Sequence, residues 1–264
     1  MPLNSARLWL VATPLGNPGD LSPRAVETLS RADIILAEDT RRAGNLLAGA
    51  SIAAKRLLSF HEHNETERLP QVLAALREGQ EAALISDAGM PVLSDPGFHL
   101  VRACRSEGLI VSCVPGPCAE ATAVAASGLP PLPYVFLGFL PRKPGDVRRT
   151  LEQYARLPVT LVFFERKDRL RASLDAAAEC LGPRQVCVAR EMTKTYEEFL
   201  LGRLDDPAFC REELLGEITV VIGPPEAIPA SSDADIFVLA EANPDLPPRA
   251  LAKLIQSRTA GRSA

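Results

Sequence analysis

Leu84-Ile85-Ser86-Asp87-Ala88-Gly89-Met90-Pro91-Val92-Leu93-Ser94-Asp95-Pro96-Gly97 is the stretch of this chain richest in groups that could do chemistry. Two Ser-Asp pairs, each followed by Gly and Pro, come directly after an apolar run that reads as a buried strand. A loop so rich in Gly and Pro at the carboxyl end of a strand brings bare backbone amides and carbonyls close to a ligand. Its two carboxylates can take hydroxyl or cationic groups. That combination points to a small-molecule cofactor site.

The elements that must carry this loop alternate. Short apolar runs at 8–12, 34–37, 82–86 and 110–114 read as strands, with a weaker extended segment at 57–61. Helical patterns stand between them: Ser22 caps one and Pro23 opens it, while Leu69, Val72, Leu73 and Leu76 recur at helical spacing. Further helices are expected at 98–107 and 118–127. Such alternation implies a largely parallel sheet covered on both faces. A Pro-rich break at 128–133 marks a boundary, giving domains 1–133 and 134–228 and a loosely held tail 229–264. In the second half, helices are expected near 148–157 and 168–180, and strands at 160–164, 185–190 and 217–223. The tail offers a short apolar segment at 236–239 and a helix at 249–256.

In a parallel sheet the strand-end loops share one edge. Loops at 13–20, 38–42, 86–97 and 115–118 would therefore converge, bringing Asp39, Asp87 and Asp95 together. The first, Pro14-Leu15-Gly16-Asn17-Pro18-Gly19, fits neither the phosphate-loop nor the dinucleotide pattern, which disfavours a nucleoside triphosphate or dinucleotide. His61-Glu62-His63-Asn64-Glu65 is dense in donors and acceptors. No third metal ligand lies at a diagnostic spacing, so it reads as a substrate-positioning segment, with no metal expected.

At 264 residues and 47% hydrophobic content the chain has the make-up of a soluble globular protein, and its net charge of −4 gives no overall pull on nucleic acid. RNA contact would need local basic patches. Two candidates exist: Arg142, Lys143, Arg148 and Arg149, then Arg166, Lys167, Arg169 and Arg171. If both flank an inter-domain cleft they form a phosphate-holding rim. The N-terminal residues lack the basic-then-apolar order of an export signal, and no run approaches a membrane span, so a cytosolic protein is expected. The six scattered cysteines read as reduced.

Thr13-Pro14-Leu15-Gly16-Asn17, Ala37-Glu38-Asp39-Thr40-Arg41, the His61-to-Glu65 segment, the two Ser-Asp motifs, Pro115-Gly116-Pro117 and Phe136-Leu137-Gly138-Phe139-Leu140-Pro141-Arg142-Lys143 occur in that order. Ala189-Arg190-Glu191-Met192-Thr193-Lys194 and Glu197-Glu198-Phe199 follow. The ordered set resembles the ribosomal RNA small-subunit methyltransferase I family of the tetrapyrrole methylase superfamily. The resemblance implies two α/β domains with S-adenosyl-L-methionine in the cleft between them. It also implies methylation of a cytidine ribose 2′-hydroxyl in the decoding region of small-subunit (16S) rRNA, by a homodimer acting on the RNA or the 30S subunit.

By the same resemblance Pro14, Leu15, Gly16, Ser86, Asp87, Ala88, Gly89, Pro117 and Cys118 line the cofactor from one domain. Phe164, Glu165, Arg190 and Glu191 approach it from the other. We expect Arg41 or Arg42 to hold a substrate phosphate, and Asn64, Arg142 and Lys143 to contact substrate. A side chain among Asp39, His61 and Glu62 would assist deprotonation. Members usually carry Glu-Ser-Pro-His-Arg where this chain has Glu165-Arg166-Lys167-Asp168-Arg169. Two rival readings are a tetrapyrrole C-methyltransferase of the same fold and a non-catalytic ribosome-binding factor.

Overall fold

A computed structural model describes residues 8–210, 214–226, 238, 240–244 and 246–258. Apolar runs form β1 (Leu8–Val11), β2 (Ile34–Ala37) and β4 (Ala82–Ile85), every residue of which is buried. With β3 (Leu57–Ser59) and β5 (Val111–Val114) they make a parallel sheet in the order β3-β2-β4-β1-β5. Both faces must then be covered. Trp9, Val11, Ile35, Ala37, Ala83 and Ile85 pack against Ala25 and Leu29 of α1 (Pro23–Arg31) and Ala43 and Leu47 of α2 (Thr40–Gly49). Leu8, Leu10, Ile34, Leu36 and Leu84 turn to α3 (Glu65–Arg77) and α4 (Phe98–Ser106).

A second sheet has the order β6-β7-β10-β8-β9: β6 (Tyr134–Phe139), β7 (Thr160–Glu165), β8 (Gln185–Arg190), β9 (Glu198–Arg203) and β10 (Ile218–Ile222). Only β6 and β7 run parallel; the other three pairings are antiparallel. Helices α6 (Pro144–Glu152) and α7 (Leu170–Leu181) cover one face. The other face takes α5 (Ala119–Ala126), through Ala123 and Val124 against Val162, Cys187, Ala189 and Val221.

That last contact departs from expectation. Helix α5 precedes the boundary placed at 133/134, yet its packing joins it to the second sheet, so the crossover lies at 115–118. The expected helix at 148–157 starts four residues earlier, at Pro144, whose missing N–H costs nothing at a first helical position. Most of the segment expected at 236–239 lies outside the described residues. The tail helix appears as α8 (Pro248–Arg258). No helix among the described residues is long and apolar enough to cross a membrane.

Candidate functional site

The parallel sheet delivers its strand-end loops to one edge, where the backbone ties two of them together. Thr13 and Gly89 exchange N–H···O bonds of 2.9 and 3.0 Å, and the Thr13 hydroxyl donates to the Ser86 carbonyl at 3.1 Å. Gly89 sits at φ +82°, and a Cβ there would stand 3.2 Å from Leu15, so the close approach of loops 13–20 and 86–97 depends on glycine. The second domain closes over this edge. Asn17 N–H donates to the Thr193 hydroxyl at 3.2 Å, and the Lys194 side chain crosses Gly16 so tightly that a Cβ would clash.

Between the domains lies a cavity of about 630 Å³, in the size range of small-molecule sites. Its apolar lining includes Leu15, Met90, Phe139, Phe164, Met192 and Ile218. Its carboxylates are Asp87, Asp95, Glu120, Glu165, Asp168 and Glu217, facing Arg166 and Lys167. Glu165 is buried at the end of β7, where it accepts from Arg166 N–H at 2.9 Å and from the Ser173 hydroxyl, and pairs with Arg169 at 3.4 Å. Asp95 is held near pH 7, above the ordinary aspartate range, first by burial and then by the negative charges of Glu38 and Asp87.

A second, more open cavity is lined by Glu38, Asp39, Thr40, Arg41, Arg42, Ser59, His61, Glu62, His63 and Asp87. Asp87 borders both. Its Oδ1 accepts from Asp39 N–H at 3.3 Å and its Oδ2 pairs with Arg42 at 3.3 Å. Residues 40–42, expected as loop, are the first turn of α2 because Asp39 caps it, accepting from Arg41 N–H at 2.8 Å. Asp39 also pairs with the Arg41 guanidinium at 2.9 Å, and these bonds, with the Arg41 side chain first, pull its carboxyl down to about 2. So stable a carboxylate is a poor proton acceptor, which corrects the expectation that Asp39 assists deprotonation.

Asn64 is likewise committed: its Oδ1 accepts from His61 N–H at 2.8 Å and its Nδ2 donates to the Ser59 carbonyl at 3.2 Å. It holds the turn that presents His61 and does not line the cavity, a correction to its expected contact with substrate. The His61 Nδ1 atom is buried without a described hydrogen-bond partner, and its ring meets His63 edge-on at 6.0 Å. Glu62 is exposed at the cavity rim.

Of the expected cofactor residues, Leu15, Asp87, Ala88, Gly89, Phe164 and Glu165 line the larger cavity; Pro14, Gly16, Ser86, Pro117, Cys118, Arg190 and Glu191 do not. Arg190 pairs with Glu198 at 2.6 Å. Glu191 Oε1 accepts from Glu217 N–H and Lys194, which holds its carboxyl below the ordinary range. The expected cationic rim is mostly neutralised: Arg148 pairs with Glu179, Arg149 with Asp146, Arg171 with Asp175, and Arg169 turns inward to the Leu140 and Pro141 carbonyls. Arg166 and Lys167 reach the larger cavity, while Arg142 and Lys143 stand exposed before α6, outside its lining. Sequence reasoning missed Glu120, Met192 and residues 215–219. Among the described residues no group of three or more His, Cys, Asp or Glu could hold a metal.

The profile of the Tetrapyrrole (Corrin/Porphyrin) Methylases matches residues 7–208. Proteins named ribosomal RNA small subunit methyltransferase I are similar along most of the chain. The one from Thermotoga maritima is 46% identical over 218 residues, which cover 82% of this chain and 97% of that protein. The one from Escherichia coli O157:H7 is 47% identical over 195 residues, 74% of this chain and 68% of that protein. Among solved structures, the methyltransferase CobJ superposes with a TM-score of 0.64 at 21% identity, covering 84% of this chain and 95% of CobJ. Uroporphyrin-III C-methyltransferase from Thermus thermophilus, complexed with S-adenosyl homocysteine, gives 0.58 at 22%, covering 83% of this chain and 97% of that one. At these identities the structural likeness concerns the fold.

Proposed function

From a chain that belongs to the ribosomal RNA small subunit methyltransferase I family of the tetrapyrrole methylases, we propose an enzyme that methylates a cytidine ribose 2′-hydroxyl in the decoding region of small-subunit ribosomal RNA, using S-adenosylmethionine. The observation that carries this reading is the pair of cavities meeting at Asp87, one apolar with an acidic rim and one polar and open. The residues present fit the cofactor. Apolar walls at Leu15, Met90, Phe164 and Met192 suit a nucleoside and a thioether chain, and the carboxylates Asp87 and Glu120 suit its positive charges. Bound there, the cofactor supplies an already activated methyl group, so the protein's work is alignment, exclusion of water and removal of the hydroxyl proton.

The ribose enters through the polar cavity, past Ser59 and His61. Arg41, its side chain 89% exposed, reaches outward to an RNA phosphate, and Arg42 reaches from its pairing with Asp87. Arg142, Lys143, Arg166 and Lys167 extend the basic path beside the cleft. The protein works as a homodimer in the cytosol. The exposed apolar residues Leu132 and Tyr134, at the β6 edge of the second sheet, give such a dimer an apolar patch to bury.

Mass mapping of small-subunit rRNA from cells with and without this gene product tests the reaction. One cytidine should lose its 2′-O-methyl when the gene is absent and regain it in isolated subunits given the protein and cofactor. An unchanged rRNA map, or transfer to a porphyrinogen instead, would refute the reading. In the same system Arg41→Ala should weaken subunit binding evenly and lower the log-log salt slope by about one. An unaltered slope measured by filter binding rules out its phosphate contact.

A further inference from the structure

We propose that Asp95, on the wall of the larger cavity and in the same loop as Asp87, which borders both cavities, is the proton acceptor for the ribose hydroxyl. The assignment rests on the 2′-O-methylation reading above and deepens it.

Five of the six carboxylates lining the larger cavity are already committed. Asp87 holds Arg42 and Asp39 N–H, and Glu120 accepts from Cys118 Sγ at 2.8 Å. Glu165 holds Ser173 and Arg169, Asp168 pairs with Arg166 at 3.1 Å, and Glu217 pairs with Lys194 at 2.9 Å. Asp95 has no basic partner among the described residues; the Ser86 hydroxyl is beside it, and its charged neighbours Glu38, Asp87 and Glu120 are all acidic. Asp95 lines the larger cavity alone, within electrostatic reach of Glu38 on the wall of the polar cavity and of Asp87, which borders both. The cations on the cavity wall, Arg166 and Lys167, belong to the second domain.

The backbone that carries Asp95 is strained. Val92 and Ser94 adopt φ of +78° and +66°, left-handed values that a β-branched residue such as Val rarely takes. Ser94 is pressed against Gly138 of β6, where a Cβ would come within 2.9 Å of its hydroxyl. Strain of this kind persists only where the surroundings over-determine the conformation. Here it fixes the loop of one domain against a strand of the other, one residue before Asp95.

In the step proposed, the ribose O–H bond breaks and its proton passes to the Asp95 carboxylate. The oxygen lone pair forms the O–CH₃ bond, and the C–S bond breaks with its electrons retained by sulfur. Burial and the acidic neighbours hold Asp95 near pH 7, where a general base is both available and strong enough to act. Asp39, clamped to about 2, has no such capacity.

The test is single-turnover methyl transfer to unmethylated small subunits between pH 5.5 and 9, with wild type, Asp95→Asn and Asp95→Glu. The wild-type rate should climb about tenfold per pH unit below 7 and level above it. Asp95→Asn should be about 100-fold slower at pH 8 and lose the bend, while Asp95→Glu keeps the bend. Calorimetry should show S-adenosylhomocysteine binding to Asp95→Asn within about threefold of wild type, which separates proton transfer from misfolding. A readout without turnover is the thermal midpoint of the unliganded protein, whose fall from pH 6 to 8 should shrink in Asp95→Asn. Wild-type transfer with the bend retained in Asp95→Asn overturns the assignment alone. Absence of methyl transfer by wild type overturns the assignment together with the function beneath it.

Discussion

Replacing Asp87 with Ala should weaken S-adenosylhomocysteine binding by several hundredfold and reduce methyl transfer to small subunits at least as much. The carboxylate borders both cavities and anchors two elements that must stay in register with the cofactor loop. Its Oδ1 receives the Asp39 N–H from the end of β2, and its Oδ2 receives Arg42 from α2. Removal leaves that N–H unpaired, frees Arg42 to swing over the polar cavity and deletes a negative charge facing the cofactor. A charge-assisted hydrogen bond is worth roughly 1.5–3 kcal/mol, and an uncompensated donor adds about 1–3. Together they place the loss near two to four orders of magnitude, read by titration calorimetry. Asp87→Asn should recover part of it, since an amide oxygen can still accept from Asp39 N–H. An alanine variant that binds within threefold of wild type would remove Asp87 from the cofactor site.

The sequence made the first domain legible because its signals were local. Runs such as Ile34-Ile35-Leu36-Ala37 are buried on both faces and end in polar or Gly-Pro loops, so strand and strand-end loop could be placed together. The convergence of Asp39, Asp87 and Asp95 followed from parallel topology alone. The second domain concealed more. Strand β9, Glu198–Arg203, is a half-buried edge strand whose apolar run is only Phe199-Leu200-Leu201, and it is defined by its antiparallel register with β8. That register is a long-range fact, as is the antiparallel entry of β10, which carries residues 215–219 into the cavity wall. Helix α5 misled the domain boundary for a related reason. An Ala-rich helix has little amphipathic direction of its own, and here the sheet it covers is the later one.

The site was half legible. Glycine and proline announced the loops, but side-chain commitments did not show. Asp39 and Asn64 read as free donors and acceptors and are in fact caps. The basic runs read as patches, and most of their members are paired with carboxylates one helical turn or one helix away. Asp95 reads in sequence like Asp87; its distinct behaviour comes first from burial and then from the negative charges of Glu38, beyond the end of β2, and of Asp87 in its own loop. The sign of its effect on stability follows from that. A carboxyl whose pKa is raised on folding favours the protonated native state, so stability falls as pH rises from about 4 through 7 and the loss is complete above it.

The same loop fixes the second large expectation, a loss of about 2–5 kcal/mol in Gly97→Ala. Gly97 stands at φ +123° at the start of α4, and a Cβ would sit 2.4 Å from Leu84 Cδ2 and 3.1 Å from Val92 Cγ2. Leu84 belongs to the buried core under β4 and has no room to retreat, so the added methyl must displace the loop. As a cap, Gly97 offers no side-chain acceptor; buried Glu65 of α3 fills that role, taking His99 N–H at 3.1 Å and Leu100 N–H at 3.3 Å. A shift of the loop pulls α4 away from that carboxylate and leaves it buried and unpaired. The thermal midpoint should fall by about 5–15 °C, with weaker S-adenosylhomocysteine binding because Asp87 rides on the displaced segment. Gly108→Ala is the matched control: φ is +71°, but nothing lies within 4 Å of its Cβ, so only about 1–2 kcal/mol of left-handed strain applies. A Gly97 variant that melts no lower than the Gly108 variant would show that the packing against Leu84 does not hold the cofactor loop in place.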